Sequence, residues 1–164
     1  MELELDIEDW PDADWEALAR RAADAAAQVA VELANPRLVA SLLFTSDERV
    51  HDLNREWRGK DRPTNVLSFP MLERVDLVHL DPDEGPAEML GDIALACETC
   101  TREAAAKGIS VEDHTAHLIV HGLLHLAGYD HETSDADAEA MEELEAKALA
   151  LLGIANPYSA IDAG

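Results

Sequence analysis

The sequence predicts an α+β domain with a four- to five-stranded sheet packed on helices, and three features point to it. Residues 2–7, Glu-Leu-Glu-Leu-Asp-Ile, alternate with the period of a half-buried strand. The stretches 37–44, 66–69 and 89–96 are further strand-length apolar runs, with helical spacings between most of them. The segment from Ser110 to Leu126 is apolar nearly all round, as a central helix should be, yet it carries His114, His117, His121 and His125.

Each element has its own signals. Trp10-Pro11 ends the first strand, and Asp12 or Asp14 caps a helix expected to run to about Ala34, where Asn35-Pro36 breaks it. Ser46 is an N-cap for a helix over 47–57, with Val50, Leu53 and Trp57 expected to face the core. The acidic stretch 73–88 reads as a loop or a short hairpin around Val75–Leu80, the possible fifth strand. Gly91 inside the 89–96 run predicts a bulge or a close backbone approach. A helix over 98–107 stops at Gly108, and Ser110 with Asp113 opens the histidine helix. A last helix runs from Ser134 to about Leu152, with Gly153 as its stop. Residues 1–153 thus read as one domain and 154–164 as a flexible tail.

Composition excludes several classes. No run of 18 apolar residues exists, and the acidic start lacks the basic and apolar regions of a signal peptide, so a cytoplasmic protein is expected, with no membrane partner. The net charge of −23 argues against nonspecific nucleic-acid binding. Basic residues cluster, however: Arg49, Arg55, Arg58, Lys60 and Arg62 fall within one short stretch. Cys97 and Cys100 form a lone C-x-x-C without a second pair or a redox context, and read as two reduced thiols.

The chemistry-bearing stretch is 121–131, where three histidines stand as His-x3-His-x5-His. On a helix, side chains four apart differ by only about 40° in direction, so His121 and His125 leave the same face and can reach one metal ion. A third ligand from the next turn would lie too far along the axis. Gly128 permits the positive φ that ends the helix, and His131 follows within a short turn. This describes three imidazoles around one ion, Zn²⁺ by preference, with an open fourth position. His117 and His121 share the same spacing, but His117 and His125 are about 12 Å apart along the axis, so the three cannot join on one ion. His117 and His114 then become outer partners or exposed residues. The first histidine of a zinc-peptidase helix is followed by a glutamate base; here Gly122 takes that place, which disfavours peptide hydrolysis and predicts more room beside the metal.

A second stretch runs Leu53-Asn54-x-x-Trp57-Arg58-Gly59-Lys60-Asp61-x-Pro63-Thr64-Asn65-Val66-Leu67-Ser68-Phe69-Pro70. A polar turn leading straight into a strand is where scaffolds place functional side chains, although a solvated loop with Asp61 paired to Lys60 or Arg62 fits the composition equally well. Together with Leu90-Gly91-Asp92-Ile93 and the 121–131 motif, this order resembles the YbeY family of bacterial endoribonucleases from about 45 to 132. The resemblance implies a mixed sheet on helices related to the zinc metalloproteases. It also implies a metal-dependent, single-strand-specific endoribonuclease acting in ribosomal RNA maturation, notably the 3′ end of the small-subunit RNA, and in ribosome quality control. The family's zinc ligands carry over to His121, His125 and His131, and its functional arginine to Arg58.

A guanidinium suits phosphodiester cleavage, since its paired donors stabilise charge on phosphoryl oxygens. Lys60 and Arg62 would guide the strand, and Thr64 and Asn65 complete the expected substrate-binding set. Asp92 and Asp130 are candidates for orienting a ligand histidine. The expected partners are single-stranded ribosomal RNA and the ribosome or a ribosomal protein; oligomeric state is not legible. Two other classes fit parts of the sequence. One is a ribosome-assembly binding factor with a mainly structural metal, its acidic body docking on a basic ribosomal protein. The other is a zinc hydrolase of another substrate class, such as a peptidase or amidase.

Overall fold

The expected strands assemble into one mixed sheet in the computed structural model, which describes residues 1–130 and 134–158. Strand β1 (Glu2–Ile7) pairs in parallel with β2 (Leu38–Thr45), and β2 pairs in parallel with β4 (Glu88–Ala96). The short β3 (Val66–Pro70) closes the other edge antiparallel to β4, giving the order β1-β2-β4-β3. The register shifts between Val39 and Ala40, where Leu90 is the extra residue on β4 and Gly91 follows at φ 157°. A Cβ on Gly91 would come within 2.5 Å of the Phe69 carbonyl oxygen and 2.6 Å of Leu126, so the bulge and the close approach expected there occur together.

The two sheet faces are covered unequally. On one lie α1 (Trp15–Val29), α5 (Val111–Leu126) and α6 (Asp135–Leu151), enclosing the main core of Leu18, Leu42, Phe44, Ile93, Ile119, Leu123 and Met141. Helix α5 is central, as its all-round apolar character requires. On the other face α2 (Asp47–Arg58) covers a smaller cluster of Val50, Leu67, Ala94 and Ala96. Helix α4 (Cys97–Lys107) continues directly from β4 and packs against α5.

Three expectations are corrected. Helix α1 ends at Val29, and a 3-10 turn over Val31–Ala34 completes the approach to Asn35-Pro36. The stretch 73–88 supplies no hairpin: α3 (Arg74–Val78) forms instead, with Leu77 buried, and the sheet has four strands among the described residues. Trp57 is 73% exposed and lines a groove together with Leu43, Phe69 and Ala94 rather than entering the core. After α6, the Ile154 amide donates to the Leu149 carbonyl at 2.9 Å and Ile154 packs against the main core.

Candidate functional site

Helix α2 and the turn after it build one wall of the site. The Ser46 side chain accepts from the Arg49 amide at 3.1 Å, and Gly59 ends the helix at φ 65°. Arg58 therefore sits in the last turn, and Lys60 and Arg62 follow the reversal. The turn is pinned back on the helix at two points. Asn54 Nδ2 donates to the Arg62 carbonyl at 2.9 Å, and His51 Nε2 lies 2.7 Å from Asp61 Oδ1. Asp61 thus pairs with His51, not with Lys60 or Arg62, which leaves both cations for the cleft.

Helix α5 builds the facing wall. His121 and His125 sit four residues apart with ring centroids 6.1 Å from each other. Between them, a Cβ on Gly122 would lie 2.8 Å from Ile93 Cδ1. The expectation of extra room at Gly122 is therefore corrected: the glycine lets α5 close on β4, and Ile93 fills the space. Any side chain there would have to displace the end of Ile93.

Each of these imidazoles is held from behind. His121 Nδ1 lies 2.7 Å from Glu145 Oε1, and His125 Nδ1 lies 2.9 Å from the Tyr129 carbonyl oxygen. A carbonyl oxygen only accepts, as does an ionised carboxylate, so both rings carry a proton on Nδ1, and in the neutral imidazole the lone pair then falls on Nε2. That is the tautomer a metal ligand needs. The turn bearing Tyr129 is itself braced. Arg74 Nη1 donates to the Ala127 carbonyl at 2.7 Å, Nη2 pairs with Glu32 at 3.1 Å, and the guanidinium lies 4.7 Å from the Tyr129 ring centroid. Gly128, at φ 102°, makes the chain reversal expected of it.

Glu145 is the residue that sequence reasoning missed. It projects from α6, is 1% exposed, and takes three donors: His121, His117 (Nε2 to Oε1, 3.3 Å) and Tyr158 (Oη to Oε2, 2.7 Å). Burial alone would raise its pKa, but the hydrogen bonds from His117 and His121, with that of Tyr158, outweigh burial and hold it at about 2. Its signal in the sequence is positional, since Met141, Glu145, Ala148 and Leu149 form one helical stripe and an acid in that stripe must be paired. Asp92, considered for this role, is exposed and faces the α2 side of the sheet, in the groove with Trp57 and Phe69.

His114 has a separate use. It is buried, with Nε2 2.9 Å from Glu103 Oε1, and the same oxygen accepts from Asn65 Nδ2 at 2.9 Å. Burial lowers the His114 pKa more than Glu103 raises it. This chain of contacts fixes the carboxamide of Asn65 at the cleft. The two cysteines are free thiols, and burial pushes Cys100 up to about 12, far from the reactive range.

The two walls meet in a cleft of about 220 Å³ lined by Arg58, Lys60, Arg62, Thr64 and Asn65 on one side and His121 and His125 on the other. Every described residue of the predicted site is brought together there. His131, the expected third ligand, lies outside the described residues, and among the described residues no three His, Cys, Asp or Glu side chains are grouped to hold a metal. No helix among the described residues is long and apolar enough to cross a membrane.

Comparison with known proteins bears on the fold and the family. A fold match is seen with the solution structure of TM1509 from Thermotoga maritima, with a TM-score of 0.59 at 24% identity over 92% of this chain and 88% of that one. The endoribonuclease YbeY of Erythrobacter litoralis is 66% identical over 158 residues, covering 96% of this chain and 98% of its own length. That of Novosphingobium aromaticivorans is 61% identical over 162 residues, covering 98% and 97%. The family model for endoribonuclease YbeY matches residues 4–153, and the chain belongs to that family.

Proposed function

We propose that this chain is a zinc-dependent, single-strand-specific endoribonuclease of the cytoplasm that acts in maturation of ribosomal RNA, at the 3′ end of the small-subunit RNA, and in ribosome quality control. One observation carries the reading: the His121–His125 pair opens into the same cleft as Arg58, Lys60 and Arg62. Metal ligands beside a guanidinium and two further cations suit a phosphodiester, whose negative charge must be held while a bond to phosphorus breaks. Membership of a family whose relatives are called endoribonucleases points to RNA.

The residues fit a zinc ion. As neutral imidazoles held at Nδ1, His121 and His125 would present Nε2 lone pairs, and His131 would complete the set that the family resemblance implies. Bound there, the ion would supply Lewis-acid activation of water or of a phosphoryl oxygen. Arg58, exposed at the end of α2, clamps the phosphate with paired donors. Lys60 and Arg62 hold the flanking backbone, and the acidic remainder of the surface repels RNA from everywhere else. Thr64 and Asn65 offer uncharged polar contacts to the strand. A cleft sunk between a turn and a helix admits a flexible strand bent into it more readily than a stiff duplex.

The direct test uses purified protein with an RNA spanning the small-subunit 3′ end, as single strand and annealed to its complement. Cleavage confined to the single strand is expected. The acidic body also suits docking on a basic ribosomal protein, in a factor whose metal is mainly structural. Protein that binds ribosomal particles, unfolds on metal removal and never cuts RNA would replace the nuclease reading with that one.

A further inference from the structure

The geometry points to Tyr158 as a positioning residue of the metal site, its hydroxyl fixing the carboxylate that orients His121. The inference rests on the metal reading of His121 and His125 above. Tyr158 lies beyond the residues matched by the family model, in the stretch the sequence presents as a tail. Its Oη nevertheless donates to Glu145 Oε2 at 2.7 Å and lies 3.4 Å from His117 Nε2, with its ring edge-on to that imidazole at 5.8 Å and 89°. The backbone is shaped for this return: the Ile154 amide donates to Leu149 O, and the Tyr158 amide donates to Asn156 Oδ1 at 2.9 Å.

A carboxylate can turn about its Cγ–Cδ bond unless both oxygens are engaged. In Glu145, Oε1 is taken by His121 and His117, and Oε2 by Tyr158. The residue is 1% exposed, so bulk water cannot readily replace a lost donor. Without the hydroxyl, Oε2 would be a buried charged oxygen lacking that donor, and the carboxylate would turn to share the histidine donors between its oxygens. The bond to His121 Nδ1 would weaken, and with it the ring orientation and Nε2 basicity on which metal affinity depends. The coupling is reciprocal: whatever binds His121 more tightly because Tyr158 is docked also holds Tyr158 in place.

The test is zinc affinity of the full-length protein, read by competition with a chromophoric chelator, for wild type, Tyr158→Phe, Glu145→Gln and the double variant. Glu145→Gln is expected to weaken binding by about 10- to 100-fold. Tyr158→Phe, one contact further out, is expected to weaken it on the order of 3- to 10-fold. The double variant should match Glu145→Gln within about 2-fold, because Tyr158 acts through Glu145. The His121 Nδ1–H proton resonance of the zinc-loaded protein should move upfield in Tyr158→Phe, and the metal-free protein should melt somewhat below wild type, because a buried charged oxygen loses a donor. Unchanged affinity in Tyr158→Phe, or a fully additive double variant, overturns the assignment; a lowered metal-free melting temperature with unchanged affinity reduces Tyr158 to a packing residue and overturns it too. Wild-type protein that binds no zinc is a different failure, since it removes the metal reading itself and this inference with it.

Discussion

The N-terminal and C-terminal halves of α5 each carry two histidines, and they are wired in opposite senses. In the first half the outer ring nitrogens are tied to acids: His114 Nε2 to Glu103 and His117 Nε2 to Glu145. In the second half the inner nitrogens are tied down, His121 Nδ1 to Glu145 and His125 Nδ1 to the Tyr129 carbonyl, which in the neutral imidazole puts the lone pair on Nε2. The residue type is the same and the helix is the same. What separates His114 and His117 from the proposed ligands is which nitrogen the protein holds and whether a cleft lies before the other. Glu145 stands at the boundary and serves both halves.

Substitutions can break this contrast. The largest effect is expected from His121→Ala, which should cost more than about 100-fold in zinc affinity, beyond the range for outer partners, and abolish RNA cleavage; retention of either would place the site elsewhere. Arg58→Ala should lower the cleavage rate by about 100-fold while zinc content stays at one ion, with Arg58→Lys recovering only part, because a lysine lacks the paired donors. Single-turnover cleavage beside metal analysis separates these two outcomes. His114→Ala should leave zinc affinity near wild type and cost about 2 kcal/mol of folding stability, measured by urea unfolding, since it opens a cavity and strips Glu103 of a donor.

The smallest expected effect concerns pH. Burial lowers the folded-state pKa of His114 below its ordinary value of 6.5, so the unfolded chain binds a proton that the folded one refuses. The contribution to stability is therefore whole above about pH 6.5 and declines as pH falls from there towards the folded-state pKa. Metal-free wild type should lose stability with acid over that window more steeply than metal-free His114→Gln. Equal slopes would show that His114 is not held neutral.

Much of this was legible in the sequence for a physical reason: the informative contacts there are local. A pair four apart on a helix, a glycine reversal, and a cationic turn between Gly59 and Pro63 each encode geometry within a few residues. The strands and the bulge at Gly91 were readable in the same way. What was hidden depends on distance. Glu145 meets His121 across 24 residues of chain, and no local pattern announces the meeting, only an acid placed in a buried stripe. His125 is oriented by a backbone carbonyl, which every residue possesses and no sequence can flag. Trp57 read as core because helical spacing gives a face but not how far the sheet beneath it extends. Gly122 was read from its place after His121, but what it packs against, Ile93, lies on another element.

The central claim is that the histidine pair and the arginine turn form one metal-dependent RNA-cutting site. It is tested most directly by following cleavage of a single-stranded RNA by the wild-type protein as bound metal is removed with a chelator and then restored with zinc. Cleavage that falls with metal content and returns with zinc is the expected result. Cleavage that persists at full rate in metal-free protein would contradict the account.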